Sequence, residues 1–185
     1  MIEIRKYQTK DNASVRSICM ATAKKGFRNK EVVCWMFLDY YLESESDHAY
    51  VLVDKEEVIG YIVASTNAQL YEKQMKEKWI PKIKEYSFFL GIFSKICLLV
   101  SKPLDRKYSG GFHMNIAPNY QKLGLGKRLL AVMGNHLSLY GYPYLYLITE
   151  NKRTRGYGFY KHYGFKVVKK YLTGSLALAY DIKKN

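Results

Sequence analysis

A chain of 185 residues can bury a substantial core, and 48% hydrophobic with 15% aromatic content excludes a disordered polymer. Thirty basic against sixteen acidic residues leave a formal charge of +14, which would suit anionic ligands. The lysines are spread through nearly every segment, however, and no tract of five or more occurs, so the pattern reads as a solvated basic surface and no nucleic-acid partner is expected.

The N-terminus, Met1 to Tyr7, has no apolar signal core and reads as a first strand over 2–7. Thr9 and Asp11 can cap a helix carrying Val15, Ile18, Cys19 and Thr22 at helical spacing, with Gly26 as its stop. Asn29 can cap a second helix with Val33, Met36, Phe37, Tyr40 and Tyr41 on one face. Residues 49–53 and 58–65 form a hairpin around Asp54 to Glu57.

Residues 66–110 follow as a long interruption. Glu72 to Lys84 is charged and helical in character, with Pro81 marking a break or a new start. Tyr86 to Val100 is strongly apolar but shorter than a bilayer span and broken by Lys95. It reads as a buried lid or a dimer face, with an interfacial membrane segment as the alternative and no stable membrane insertion.

Phe112, Met114 and Ile116 then alternate with His113 and Asn115 as a strand does, and Pro118 ends it. Beyond Gly124 and Gly126, Leu125, Leu129, Val132, Met133 and His136 recur at helical spacing up to the stop signal Gly141. A strand thus runs through a glycine turn into a helix. Free amides at a helix N-terminus, glycines without Cβ, and Lys122, Lys127 and Arg128 make that turn an anion site. It is not a Walker loop, because Gln121 stands where that loop needs glycine and Arg128 where it needs Ser or Thr. Nor is it a dinucleotide fingerprint, because Leu129 replaces the third glycine. Tyr144 to Thr149 is the fifth strand, Arg155 to His162 a short helix ended by Gly164, and Phe165 to Lys170 with Ser175 to Ile182 a last hairpin.

Gln121-x-x-Gly124-x-Gly126 between strand and helix resembles the acyl-CoA pyrophosphate loop of the GNAT superfamily of N-acetyltransferases. Downstream, Phe159-Tyr160-Lys161-His162-Tyr163-Gly164-Phe165 is similar to the Phe/Leu-Tyr-x-x-x-Gly-Phe signature near the end of those domains. The resemblance covers the chain outside the interruption. It implies one α/β (α+β) domain over residues 1–185, with a mixed sheet of about seven strands flanked by helices and splayed between the fourth and fifth. The interruption at 66–110 becomes an insertion near the acceptor end of the cleft.

The same resemblance implies acetyl-CoA as co-substrate and an amine acceptor, small molecule or peptide, attacking directly in a ternary complex. The cofactor would contact Asn115, Ile116 and Ala117 on the fourth strand, then Gln121, Lys122, Leu123, Gly124, Leu125, Gly126 and Lys127 in the turn. An amide near Ile116 would stabilise the oxyanion. Tyr160 takes the role of acid to the departing thiolate, with Tyr157 and Tyr163 as competitors. Glu150, ending the fifth strand, is the first choice of base, ahead of Glu43 and Glu45; His113 reads as a packed or ligand-lining residue. Tyr157 also lines the cofactor site.

Relatives place an Asn seven residues before the tyrosine; here that position is Arg153, and Asn151 lies two residues early as the candidate for that contact. Cys19, Cys34 and Cys97 sit in apolar stretches without zinc spacing, so they read as buried thiols in a reducing, cytoplasmic setting, with neither a metal nor a covalent nucleophile implied. The basic surface favours an acidic or neutral acceptor over a polycation unless Glu43, Glu45 and Asp47 form a local acidic cleft. An acetyl-CoA-binding sensor that has lost catalysis is the alternative reading, and monomer and homodimer are both open.

Overall fold

The computed structural model describes residues 1–23, 29–108, 111–150 and 154–184. The Gly26 stop signal and Asn151 lie outside them. Strands β1 (Glu3–Lys6), β2 (Ala49–Asp54), β3 (Glu57–Ser65), β4 (Gly111–Ile116), β5 (Tyr144–Thr149), β6 (Lys166–Lys170) and β7 (Leu176–Asp181) form one seven-stranded sheet in the order β1-β2-β3-β4-β5-β7-β6. Every neighbouring pair is antiparallel except β4 with β5.

Strand alternation distributes the core between the two faces. Val51, Val53, Tyr61 and Val63 turn to α1 (Asn12–Thr22) and α2 (Glu31–Phe37). Leu52, Ile62 and Ala64, their sequence neighbours, turn instead to α7 (Leu125–Leu139), packing with Leu129, Leu130 and Met133. Helix α8 (Arg155–Tyr163) joins the α7 face through Tyr160. Arg5 of β1 grips Asp11, before α1, with two bonds of 2.7 and 2.8 Å, and this paired charge holds the Asp11 carboxyl below its ordinary range.

The second expected helix is two. Leu38, at φ −133° and ψ −52°, breaks it, and α3 (Asp39–Ser44) continues in a new direction. The 66–110 segment is almost wholly helical: α4 (Ala68–Gln74), one π turn over Met75–Trp79, α5 (Ile80–Tyr86, Pro81 in its first turn) and α6 (Phe88–Lys107). Its apolar run is placed differently from a buried lid. Small and polar residues of α6, Gly91, Ser94 and Ser101 with Leu98, face inward. Phe89 (82% exposed), Ile96 (53%) and Leu99 (52%) face outward. Cys97 also lies on the exposed side, which corrects the expectation of three buried thiols; Cys19 and Cys34 are buried. Among the described residues, no helix is long and apolar enough to cross a membrane.

The inward stripe is small because α5 and α6 cross closely: a Cβ on Gly91 would stand 2.6 Å from Lys84 Cβ and 2.8 Å from its Cα. Those atoms are fixed to the α5 backbone and cannot swing aside. Overpacking of this kind costs roughly 1–3 kcal/mol, more than the roughly 1 kcal/mol of helix propensity that alanine adds over glycine. Gly91→Ala is therefore expected to lower the urea midpoint. Gly158→Ala in α8, whose Cβ would meet nothing within 4 Å, is expected to raise it.

Candidate active site

The site begins where β4 and β5 part. Parallel strands normally share a ladder over several residues, but among the described residues these two register only at Gly111 and Tyr146. The strands diverge beyond that pair. β4 stays bonded to β3 throughout, from Ser65↔Gly111 to Gly60↔Ile116, and the Ala117 amide donates to the Ile59 carbonyl at 2.8 Å. In an antiparallel ladder alternate residues bond the same neighbour. Asn115 and Ala117 thus spend their backbone on β3, while Met114 and Ile116 point theirs into the gap. The gap-facing Ile116 carbonyl accepts the Gln121 Nε2 at 3.0 Å, which ties the start of the glycine turn to the strand end.

The turn itself is shaped for an anion. Lys122 and Gly124 both adopt positive φ, 67° and 75°. For Gly124, whose Cβ would meet nothing within 4 Å, the reversal leaves the approach to the backbone open. The first donors of α7 to bond within the helix are Lys127 (3.1 Å) and Arg128 (3.5 Å), both to the Gly124 carbonyl, so the amides before them are available to a ligand. No acidic side chain occupies the first turn, and Lys122, Leu123 and Lys127 are exposed. The Leu125 side chain belongs to the core. Gly126 is buried for a different reason: a Cβ there would come within 2.9 Å of Phe159 Cζ. Its bareness lets α8 close against α7.

That contact sets Tyr160 on the same face as the glycine turn. Its ring packs against Phe112 (5.8 Å), Phe159 (5.2 Å) and Phe165 (5.3 Å), and burial pushes its hydroxyl pKa up, so it stays protonated at neutral pH. Tyr157, half-buried in the first turn of α8, donates its amide to the capping Thr154 hydroxyl at 3.2 Å. Glu150 stands one residue past β5 and is exposed.

The other face of the gap holds a cluster that the sequence did not single out as a unit. Tyr61 Oη receives the Asn115 Nδ2 at 2.9 Å and lies 3.1 Å from His113 Nδ1. Phe37, from the end of α2, stacks on the His113 ring at 5.8 Å. The Asn115 side chain is therefore committed to Tyr61, away from the glycine turn. Burial holds the His113 pKa down from 6.5 to about 4, leaving the imidazole neutral. Its signal in the sequence was the shared parity of His113 and Asn115 on one strand. Of the other proposed bases, Glu43 pairs with Lys78, and buried Glu45 accepts from the Thr66 amide (2.7 Å), the Thr66 hydroxyl (2.9 Å) and the Asn67 amide (3.1 Å). These carboxylates are already engaged, so with exposed Asp47 they do not make the acidic cleft that was considered.

The family model described as the Acetyltransferase (GNAT) family matches residues 14–165. The chain belongs to the GNAT family. Among solved structures, the GNAT chain resembles SsHAT at 20% identity and TM-score 0.84, over 98% of each chain. It also resembles the PaiA N-acetyltransferase from Thermoplasma acidophilum in complex with coenzyme A, at 16% identity and TM-score 0.65, over 98% of this chain and 99% of that one. A third likeness is to a Drosophila melanogaster polyamine N-acetyltransferase, at 11% identity and TM-score 0.66, over 98% and 100%. At these identities the likenesses establish the fold. The mixed sheet opened between its parallel β4–β5 pair is the expected GNAT architecture.

Two histidines of this GNAT domain, His136 buried and His113 half-buried, make its stability depend on pH. His113 and His136 both have pKa values held to about 4 by burial, below the 6.5 of the unfolded chain. Between those values the unfolded state binds more protons, so stability falls as pH drops through 6.5 toward 4. Urea midpoints across that range should show the decline, and His113→Gln with His136→Gln should reduce it, His48 retaining a smaller share because burial lowers its pKa too.

Proposed function

We propose that the protein is an N-acetyltransferase that moves an acetyl group from acetyl-CoA to an amine by direct attack in a ternary complex. The observation that carries this reading is the alignment of three features along one gap: open amides at the α7 N-terminus, the unpaired backbone edge of Met114 and Ile116, and a protonated Tyr160 on the same face as the glycine turn. The diphosphate would lie on the amides of Leu123 to Gly126, with Lys122 and Lys127 adding full charges. The pantetheine arm would run along β4 as a substitute strand, satisfying backbone groups that β5 leaves unpaired.

The Met114 or Ile116 amide would donate to the oxyanion as the amine nitrogen bonds to the thioester carbon. The C–S bond then breaks, and the thiolate takes the Tyr160 proton. The proton shed by the amine would pass through Glu150 or water to the protein surface. Neutral His113, opening on the acceptor face, is a second candidate to receive it. Nothing in this sequence of steps requires a covalent enzyme intermediate.

Two measurements test the reading. Acetyl-CoA at a hundred times its Kd should stabilise the protein by about 2.7 kcal/mol, seen as a rise in melting temperature; an unchanged melting temperature would remove the cofactor from the proposal. Thiol release across an amine panel then separates an enzyme from an acetyl-CoA sensor. General acid catalysis contributes roughly 10²–10⁴-fold, so Tyr160→Phe should reduce kcat by about a hundredfold with the melting-temperature rise retained. Full turnover in that variant would dismiss Tyr160 as the acid.

A further inference from the structure

Helix α6 inverts the usual amphipathic pattern. Its inward side carries Gly91, Ser94, Leu98 and Ser101, and among the described residues the buried Ser94 hydroxyl has no hydrogen-bond partner. Its outward side carries Phe89, Ile92, Phe93, Ile96, Leu99 and Val100, all 41% exposed or more. Spacings of three and four residues draw them into one stripe, roughly 16 Å long at 1.5 Å per residue. Single exposed apolar side chains are ordinary on a protein surface, whereas an unbroken stripe of them marks a surface made for contact. The rotation of α6 is fixed. Its crossing with α5 leaves no room for a Cβ at Gly91, so turning the stripe inward would drive phenylalanine and isoleucine side chains into the α5 backbone.

The charges beside the stripe are of one sign. Between Phe88 and Leu104 the only charged residues are Lys95 and Lys102. Lys95 is exposed, one helical turn from both Ile92 and Leu99. At the start of the helix Lys84 of α5 reaches Phe88, its Nζ 5.2 Å from the centre of that exposed ring. At the other end Lys107 is exposed two turns beyond Val100, while Lys102 and Arg106 turn to Glu72 at 2.7 and 3.4 Å. The acids nearest in sequence are Glu85, which precedes the helix, and Asp105, whose Oδ2 accepts the inward Ser101 hydroxyl at 2.6 Å.

That uniform sign decides between partners. A second copy would bring another charge of +14, and a two-fold pairing centred on Ile96 would set the two Lys95 side chains against each other with no acid from Phe88 to Leu104 to answer them. An anionic lipid surface meets both features at once: the stripe enters the boundary between head groups and acyl chains, and the lysines extend along it to the phosphates. We propose that α6 seats the insertion on an anionic membrane surface, lying in the plane of the interface with its apolar stripe turned into the lipid. The helix rests on the bilayer without crossing it, because its inward side stays packed on α5 and, among the described residues, no helix is long and apolar enough to span. Docking through α6 is independent of the acetyl-CoA reading, since no residue of the stripe belongs to the glycine turn, β4 or α8.

Co-sedimentation of the full chain with vesicles tests the assignment. Vesicles of phosphatidylcholine mixed with phosphatidylglycerol are expected to bind the wild type at least about tenfold more tightly than phosphatidylcholine alone, since each lysine near an anionic surface strengthens binding about fivefold. Phe89→Ser with Ile96→Ser should weaken binding to the mixed vesicles at least about tenfold, with the melting temperature retained. Lys95→Gln should weaken it about fivefold, and this variant decides the matter if the double variant does not fold. No binding, equal binding to the two vesicle types, or binding that survives these substitutions, as adsorption by the basic surface alone would, overturns the assignment. So does a dimer, seen by sedimentation velocity, that the double substitution dissociates while the vesicles bind no protein.

Discussion

The structure depends on an unmet demand for backbone hydrogen bonds. β4 and β5 are parallel neighbours in one sheet, yet among the described residues they register at a single pair and then separate. Two strand edges lined with donors and acceptors cannot be left unpaired inside a protein without a substantial free-energy cost. Side chains meet part of the demand, as Gln121 does at the Ile116 carbonyl. The rest is available to an extended ligand carrying amides of its own, which is what a pantetheine arm is. Other features of the site are positioned relative to this gap. The α7 N-terminus sits at one end, α8 closes over one face, and α2 with the insertion covers the other.

Small residues allow these pieces to converge. Gly124 opens the turn toward solvent, while Gly126 lets Phe159 press onto the first turn of α7. The two glycines of one motif therefore do opposite work, one leaving the backbone open to solvent and one admitting a helix. Gly91 plays the second role in the insertion, bringing α6 down on α5. The packing that results places Tyr160 in an aromatic shell on the α7 side of the sheet and His113 beneath Phe37 on the opposite side. Burial acts on both: the phenol stays protonated and the imidazole stays neutral.

Much of this was legible in the sequence because it follows from local rules. The alternation of Phe112 to Ile116, the stop at Pro118 and the helical repeat after Gly126 fix β4, the turn and α7 with little tertiary help. The Phe159 to Phe165 signature placed α8 correctly. What escaped was set by contacts between distant segments. Leu38 breaks a helix whose apolar spacing runs unbroken through it, because α3 must turn toward Met75 and Trp79 of the insertion. Which amides of β4 face the gap depends on its register with β3, so Met114 could not be distinguished from Asn115 by pattern. The apolar run of α6 suggested burial, yet its small residues are the ones that pack, and Phe89, Ile96 and Leu99 remain outside.

The reading we propose is a cofactor laid along β4 from the glycine turn, met from the opposite face by an amine. The most direct measurement is an amide nitrogen–proton correlation spectrum recorded as acetyl-CoA is added. The account expects the largest shifts at Leu123, Gly124 and Gly126 in the turn and at Met114 and Ile116 on the strand, with Asn115 and Ala117 moving less because their amides are held by β3. Shifts confined to other surfaces, or a turn and strand that stay unmoved at saturating acetyl-CoA, would contradict it.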